Sequence, residues 1–219
     1  MNLRSKETIT MQWKRFLNAR SVAIFVTMMF ICSAAWGGAI TDQLKGSIDQ
    51  IIEVLNDSSL RTPEKYNKRV DILGKLVREM LDETEIAKRA LGKHWKQRTK
   101  EEKQEFIKVF SKLLEQTYFN KIDTYLEKSG SFSAENIVYL NEKVGERYAV
   151  IETKVKIDND AEIPVHYRLK NQNCCWLVCD IAIEGVSIVK NYRVQFYEIL
   201  ANSSFEELIQ KLKSKEQQV

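Results

Sequence analysis

Histidine is scarce in this chain: His94 and His166 are the only two in 219 residues. His94 precedes a helical stretch and His166 falls on the polar side of a strand, so both read as surface residues, and neither belongs to a local metal-ligand motif. No G-x-S-x-G elbow and no phosphate-cradling glycine loop occurs, which leaves little in the chain that resembles catalysis. Internal repeats, low-complexity segments and interior linkers are missing as well, and one domain is the economical reading. An excess of one charge is missing from most of the chain. The net charge of +4 arises entirely in residues 1–39, where Arg4, Lys6, Lys14, Arg15 and Arg20 face only Glu7. From residue 40 onward, 29 basic and 29 acidic residues cancel, so the basic balance gives no support for a nucleic-acid partner.

A membrane-length apolar run is also lacking. Val22 to Ala35 is apolar for fourteen residues, short of the roughly 20 that span a bilayer. It comes after a basic region ending at Arg20, and small residues at Ala35-Trp36-Gly37 or Gly37-Gly38-Ala39 suit a cleavage pocket. Residues 1–39 therefore read as a secretory signal peptide and residues 40–219 as the mature domain, exported to the periplasm. An uncleaved N-terminal anchor is the competing reading. A lipoprotein fits less well, because bulky Ile31 precedes Cys32 and the apolar run continues beyond it.

Cleavage would leave three cysteines, Cys174, Cys175 and Cys179. Along a strand Cys175 and Cys179 lie about 13 Å apart at roughly 3.3 Å per residue, beyond the roughly 7 Å that a disulfide allows. A vicinal Cys174–Cys175 bond would be strained. Cys179 reads best as a small core hydrophobe, and the spacing gives neither a disulfide framework nor a persuasive zinc site.

The chain is 44% hydrophobic and 29% charged, an ordinary globular balance. A first helix runs from Thr41 to about Ser58, with Leu44, Ile48, Ile51, Ile52 and Leu55 as its stripe. Thr62-Pro63 opens a second, with Thr62 as N-cap, and Glu83 to Leu91 forms a third that ends at Gly92. Thr99 and Glu102 make a capping box for the longest helix, which reaches about Lys128. After Ser129-Gly130 the apolar period changes from 3.6 to 2. Asn136–Leu140, Arg147–Ile157 and Ile163–Leu169 read as strands, with Asp158-Asn159-Asp160 as a hairpin turn.

The fourth strand and the helix beyond it organise the chain. Leu177, Cys179, Ile181 and Ile183 alternate against Trp176, Val178, Asp180 and Ala182. Gly185 breaks the strand and Ser187 caps a helix carrying Ile188, Val189, Tyr192, Phe196, Ile199 and Leu200. The sum is an α+β domain: four antiparallel strands with helices packed on one face. Asp180 is the one carboxylate within an apolar strand. It reads as an acceptor for backbone around Gly185–Ser187, with a desolvated general base as the alternative.

Apolar side chains from three sources aim at one interior. The sheet offers Ile151, Val155, Val165, Tyr167, Leu177, Cys179 and Ile181; the long helix offers Phe106, Phe110, Leu113, Leu114 and Tyr118; the late helix offers Ile188, Tyr192 and Phe196. Residues of these types serve an ordinary core and a pocket equally.

The pattern Trp176-x-x-x-Asp180-x-x-x-x-Gly185-x-Ser187, with Asn191-Tyr192-Arg193 and Gln195-Phe196 after it, resembles the MlaC-type or toluene-tolerance family. So do Leu91-Gly92-x-x-Trp95, the helix from Thr99, and Ile163-Pro164-Val165-x-Tyr167. The resemblance implies a curved sheet with an apolar cavity beneath its helices, and the fifteen apolar residues above as lipid-binding. It implies a periplasmic phospholipid carrier, with phospholipid as cargo and no cofactor, catalytic residue or metal. Its partners would be an outer-membrane lipoprotein complex and the substrate-binding subunit of an inner-membrane ABC transporter. Cys179 stands where that family leads one to expect a larger residue. Carriage of another amphiphile such as a hopanoid, a lipid-free adaptor, and an enzyme using Asp180 are the other readings.

Overall fold

In the first helix, α1 (Ala39–Asn56), apolar residues recur every three or four positions, and Ile40, Leu44, Ile48, Ile52 and Leu55 are buried. The structure is a computed structural model and describes residues 38–157, 161–173 and 175–216. The expected signal peptide lies outside them except for Gly38 and Ala39, as do the 158–160 turn and Cys174. Among the described residues no helix is long and apolar enough to cross a membrane.

Glu142 anchors the start of α1 by accepting hydrogen bonds from the Thr41 amide, at 2.7 Å, and from the Thr41 hydroxyl. A carboxylate at a helix N-terminus also meets the positive end of the helix dipole. Helix α2 (Tyr66–Met80) begins one turn later than expected. Pro63–Lys65 forms a 3-10 turn first, and Thr62 makes no side-chain cap. Helix α3 (Glu83–Leu91) ends at Gly92, whose φ of 53° favours glycine; a Cβ there would meet the Tyr197 hydroxyl. Thr99 and Glu102 form the expected capping box of α4 (Lys100–Ser129). At 30 residues α4 is about 45 Å long.

The sheet is a curved, open antiparallel meander of five strands in the order β1-β2-β3-β4-β5. The strands are β1 (Ile137–Val144), β2 (Tyr148–Lys156), β3 (Glu162–Gln172), β4 (Cys175–Ile183) and β5 (Val186–Ser187). The count corrects the expected four. Glu184 and Gly185 both have positive φ, 50° and 79°, which closes a two-residue hairpin. Val186 and Ser187 then pair with Ile183 and Ala182 before α5 (Ile188–Asn202) begins.

Two irregularities alter the expected faces. On β1, Leu140 has no partner between Tyr139 and Asn141. On β4, pairing passes from Arg168↔Asp180 to Leu169↔Val178, leaving Cys179 as the extra residue of a bulge. One inserted residue exchanges the two faces beyond it. Val178, not Leu177, therefore shares the inner face with Ile181, while Leu177 is opposite Lys170 on the outer one.

A last helix, α6 (Phe205–Glu216), packs on α4 with Phe205, Leu208, Ile209 and Leu212 buried. It is additional to the helices expected from the sequence, yet it carries a legible start: Ser204 and Glu207 exchange side-chain-to-backbone hydrogen bonds as a capping box. From Ile40 onward the described residues form one compact unit.

Candidate functional site

An apolar cavity of about 540 Å³, open to solvent rather than sealed, lies between the helices and the inner face of the sheet. That size is within the range of pockets that hold small ligands. Its roof is α1 (Ile48, Ile51, Ile52, Leu55) and α2 (Val77, Met80). Its floor is Ile137, Val155, Val165, Tyr167, Ile181 and Ile183 of the sheet, and one wall is the C-terminal half of α4 from Leu114 to Leu126.

Polar links at the ends of α1 and α2 hold this roof. Besides Glu142 at its start, α1 is fixed by Asn56, which bonds Phe132 through both amide donor and acceptor, at 2.7 and 3.1 Å. The Arg61 guanidinium ties the Leu55 carbonyl to that of Gly130. Helix α2 is strapped to α4 near both ends, by the Arg69–Asp123 pair and by Arg78–Glu115 at 2.8 Å. Arg78 and Glu115 both crowd Gly74, where a Cβ would sit 3.0 Å from the guanidinium, so a side chain there would push the strap aside. A roof held at its ends has no need to collapse onto the floor.

Polar groups in the lining are few. Burial raises the Glu115 carboxyl above the usual range, with Arg78 opposing the shift. Burial pushes the Tyr118 and Tyr167 phenols up to about 12, so both stay neutral; the Tyr167 ring fronts the cavity while protein shields it from bulk water. Asp180 borders the cavity, but both its oxygens are engaged. One accepts from the Ser187 hydroxyl at 2.7 Å and the other from the Val189 amide at 3.2 Å. Ser187 in turn caps α5 by accepting from the Lys190 amide. Asp180 is thus an acceptor as expected, but its backbone donor is Val189, beyond the expected Gly185–Ser187, and Ser187 reaches it through its side chain.

Of the fifteen apolar residues singled out in the sequence, the structure brings Leu114, Tyr118, Val155, Val165, Tyr167, Ile181 and Ile188 to the cavity. It places Phe106, Phe110, Leu113, Tyr192 and Phe196 in a solid cluster with α3 and α6. Ile151 packs under the N-terminal half of α1 with Ile40 and Leu44. Leu177 is on the outer sheet face. The buried Cys179 is at the bulge, where its sulfur accepts from Arg89 at 3.1 Å and burial raises its thiol. The size of residue 179 therefore does not shape the cavity. The lining residues that sequence reasoning misses are chiefly aliphatic, from α1, α2, the C-terminal half of α4, and Ile137, Ile157 and Ile183 in or beside the sheet. Their stripes are visible, but nothing separates a stripe that meets a void from one that meets a partner.

A second depression of about 490 Å³ surrounds Arg61, Tyr66, Arg69 and Asp123. Its arginines are committed to the carbonyls and carboxylate named above, and the apolar cavity is the better candidate.

A family model described as MlaC protein matches residues 45–214, most of the chain. The chain belongs to the MlaC family. Within it, the chain is 25% identical to toluene tolerance protein ttg2D of Pseudomonas putida over 161 residues, covering 73% of this chain and 72% of that one. Its fold matches that of a phospholipid-binding protein of Ralstonia solanacearum, solved in complex with a phospholipid. The TM-score is 0.66 at 22% identity, over 82% of this chain and 97% of the other.

Proposed function

We propose that this MlaC-family protein is a non-catalytic carrier of phospholipid that holds acyl chains in the cavity. The observation that carries the reading is an open apolar cavity of about 540 Å³ beneath a roof fixed at its ends. Membership of the family and the phospholipid held by the Ralstonia protein point the same way. Each methylene moved from water into such a cavity gains about 0.8 kcal/mol, so loading needs no catalytic group. The same gain makes spontaneous release to water slow, and a receiving partner must induce it. We place the carrier in the periplasm, with residues 1–39 as its export signal. It would work between an outer-membrane lipoprotein complex and the substrate-binding subunit of an inner-membrane ABC transporter. A lipid-free adaptor would have a solid interior, and an enzyme built on Asp180 would need a carboxylate free of its capping bonds.

The test is mass spectrometry of lipid extracted from protein purified from periplasm without detergent. Near-stoichiometric phospholipid is the expected result. A different amphiphile, such as a hopanoid, would replace phospholipid as the cargo. Protein that is lipid-free and takes up no labelled phospholipid from vesicles would end the carrier reading.

A further inference from the structure

Acyl chains can enter the apolar cavity, but an ionised phosphate cannot accompany them without a large desolvation cost. The headgroup must stay at the rim. Among the described residues Lys121 is the only Lys or Arg that lines the cavity, and it is exposed, as a rim position requires. It forms no ion pair among the described residues, whereas Glu115 is engaged by Arg78 and Asp180 by Ser187. Its ammonium lies over the Tyr118 ring at 5.5 Å from the centroid, a contact that keeps a flexible lysine beside a ring lining the cavity. Tyr118 precedes it by three residues and Tyr125 comes four residues after it, so all three share one face of α4, and both tyrosines also line the cavity. The Tyr118 phenol is neutral near neutral pH, as an ordinary tyrosine is, and has its proton to donate.

We propose that Lys121, flanked by the phenols of Tyr118 and Tyr125, holds the phosphate of a diacyl lipid headgroup at the rim of the cavity, an inference that rests on the carrier reading. It makes the protein selective for phosphate-bearing lipids over neutral ones with the same chains.

The experiment compares wild type, Lys121→Gln and Lys121→Arg in uptake from vesicles of a fluorescent phospholipid and of a diacylglycerol with matched chains. A charge-assisted hydrogen bond is strong enough that its loss should weaken phospholipid retention about tenfold. The Arg variant should restore it, and diacylglycerol uptake should be the same in all three proteins. Because Lys121 is exposed, melting temperatures should agree and folding should not confound the result. Equal losses for both lipids, or no loss for either, would overturn the assignment while leaving the carrier intact. Wild type that takes up neither lipid would instead sink the carrier reading. Inorganic phosphate binding to lipid-free protein in a Lys121-dependent way would mark a free-anion site and also overturn the proposal.

Discussion

Where α4 passes α3, α5 and α6, its side chains are large and buried; over its C-terminal half the same helix borders a void. In the first region Phe106, Phe110, Tyr192, Phe196 and Phe205 form a chain of ring contacts with centroids 5.0 to 6.2 Å apart, most of them edge-to-face or tilted. Leu91, Leu113 and Leu208 fill what remains. In the second region the surroundings are mainly Ile, Leu and Val, and the helices opposite are held by polar links at their ends. Plates that meet edge to face consume volume from every direction. Branched aliphatic side chains on a suspended roof and a sheet need not meet. One half of the molecule supplies cohesion, and the other can be hollow because of it.

The sharpest way to break this contrast is to truncate one side chain in each half. Phe110→Ala in the ring cluster should cost about 3–5 kcal/mol, as large-to-small changes in tight cores do. Ile181→Ala in the cavity floor should cost no more than about 2 kcal/mol, since part of that side chain already fronts open space. Urea unfolding of the two variants measures both, and equal costs would show that the halves do not differ in packing.

The contrast is only partly legible in the sequence. Features written by neighbouring residues can be read there: the ends of α3 at Glu83 and Gly92, the Thr99–Glu102 box, and Asp180 facing Ser187. These depend on spacing within one turn or one hairpin. The bulge at Cys179 is not legible, because β4 is apolar on both faces and either register buries hydrophobic side chains. The division of the interior is hidden for a related reason. Phe110 and Tyr118 continue one stripe of α4, and only the partner helices decide that the first meets Tyr192 and the second meets open space.

A smaller effect tests the junction between the halves. Asp180→Asn keeps the shape but weakens its bond to the Ser187 hydroxyl and its favourable charge at the start of α5, and should cost about 1–2 kcal/mol. Lipid load should be retained. Full stability with lost function would instead revive a chemical role for Asp180. Alkaline pH probes the hollow half next. An unfolded tyrosine ionises near about 10, while burial holds Tyr118 and Tyr167 near about 12. The folded-state values are the raised ones, so their contribution to stability is whole below about pH 10 and is lost as pH rises through about 12. Tyrosinate absorbance should show phenols that titrate late, with the urea midpoint falling over the same interval. Phenols that all titrate near 10, with no loss of stability, would contradict their burial.

The smallest effect on stability should come from filling the void. Val155 is on β2 with its side chain at the cavity floor. Overpacking a solid core costs about 1–3 kcal/mol because neighbours must leave their rotamers. In a space of about 540 Å³ Val155→Trp adds a ring without displacing any neighbour, so stability should change by less than about 1 kcal/mol. Uptake of labelled phospholipid from vesicles should nevertheless fall sharply, because the ring occupies volume that acyl chains need. Large destabilisation would show that the roof and floor meet in solution and that the interior is solid throughout. Unchanged uptake would show that the cargo uses another part of the cavity.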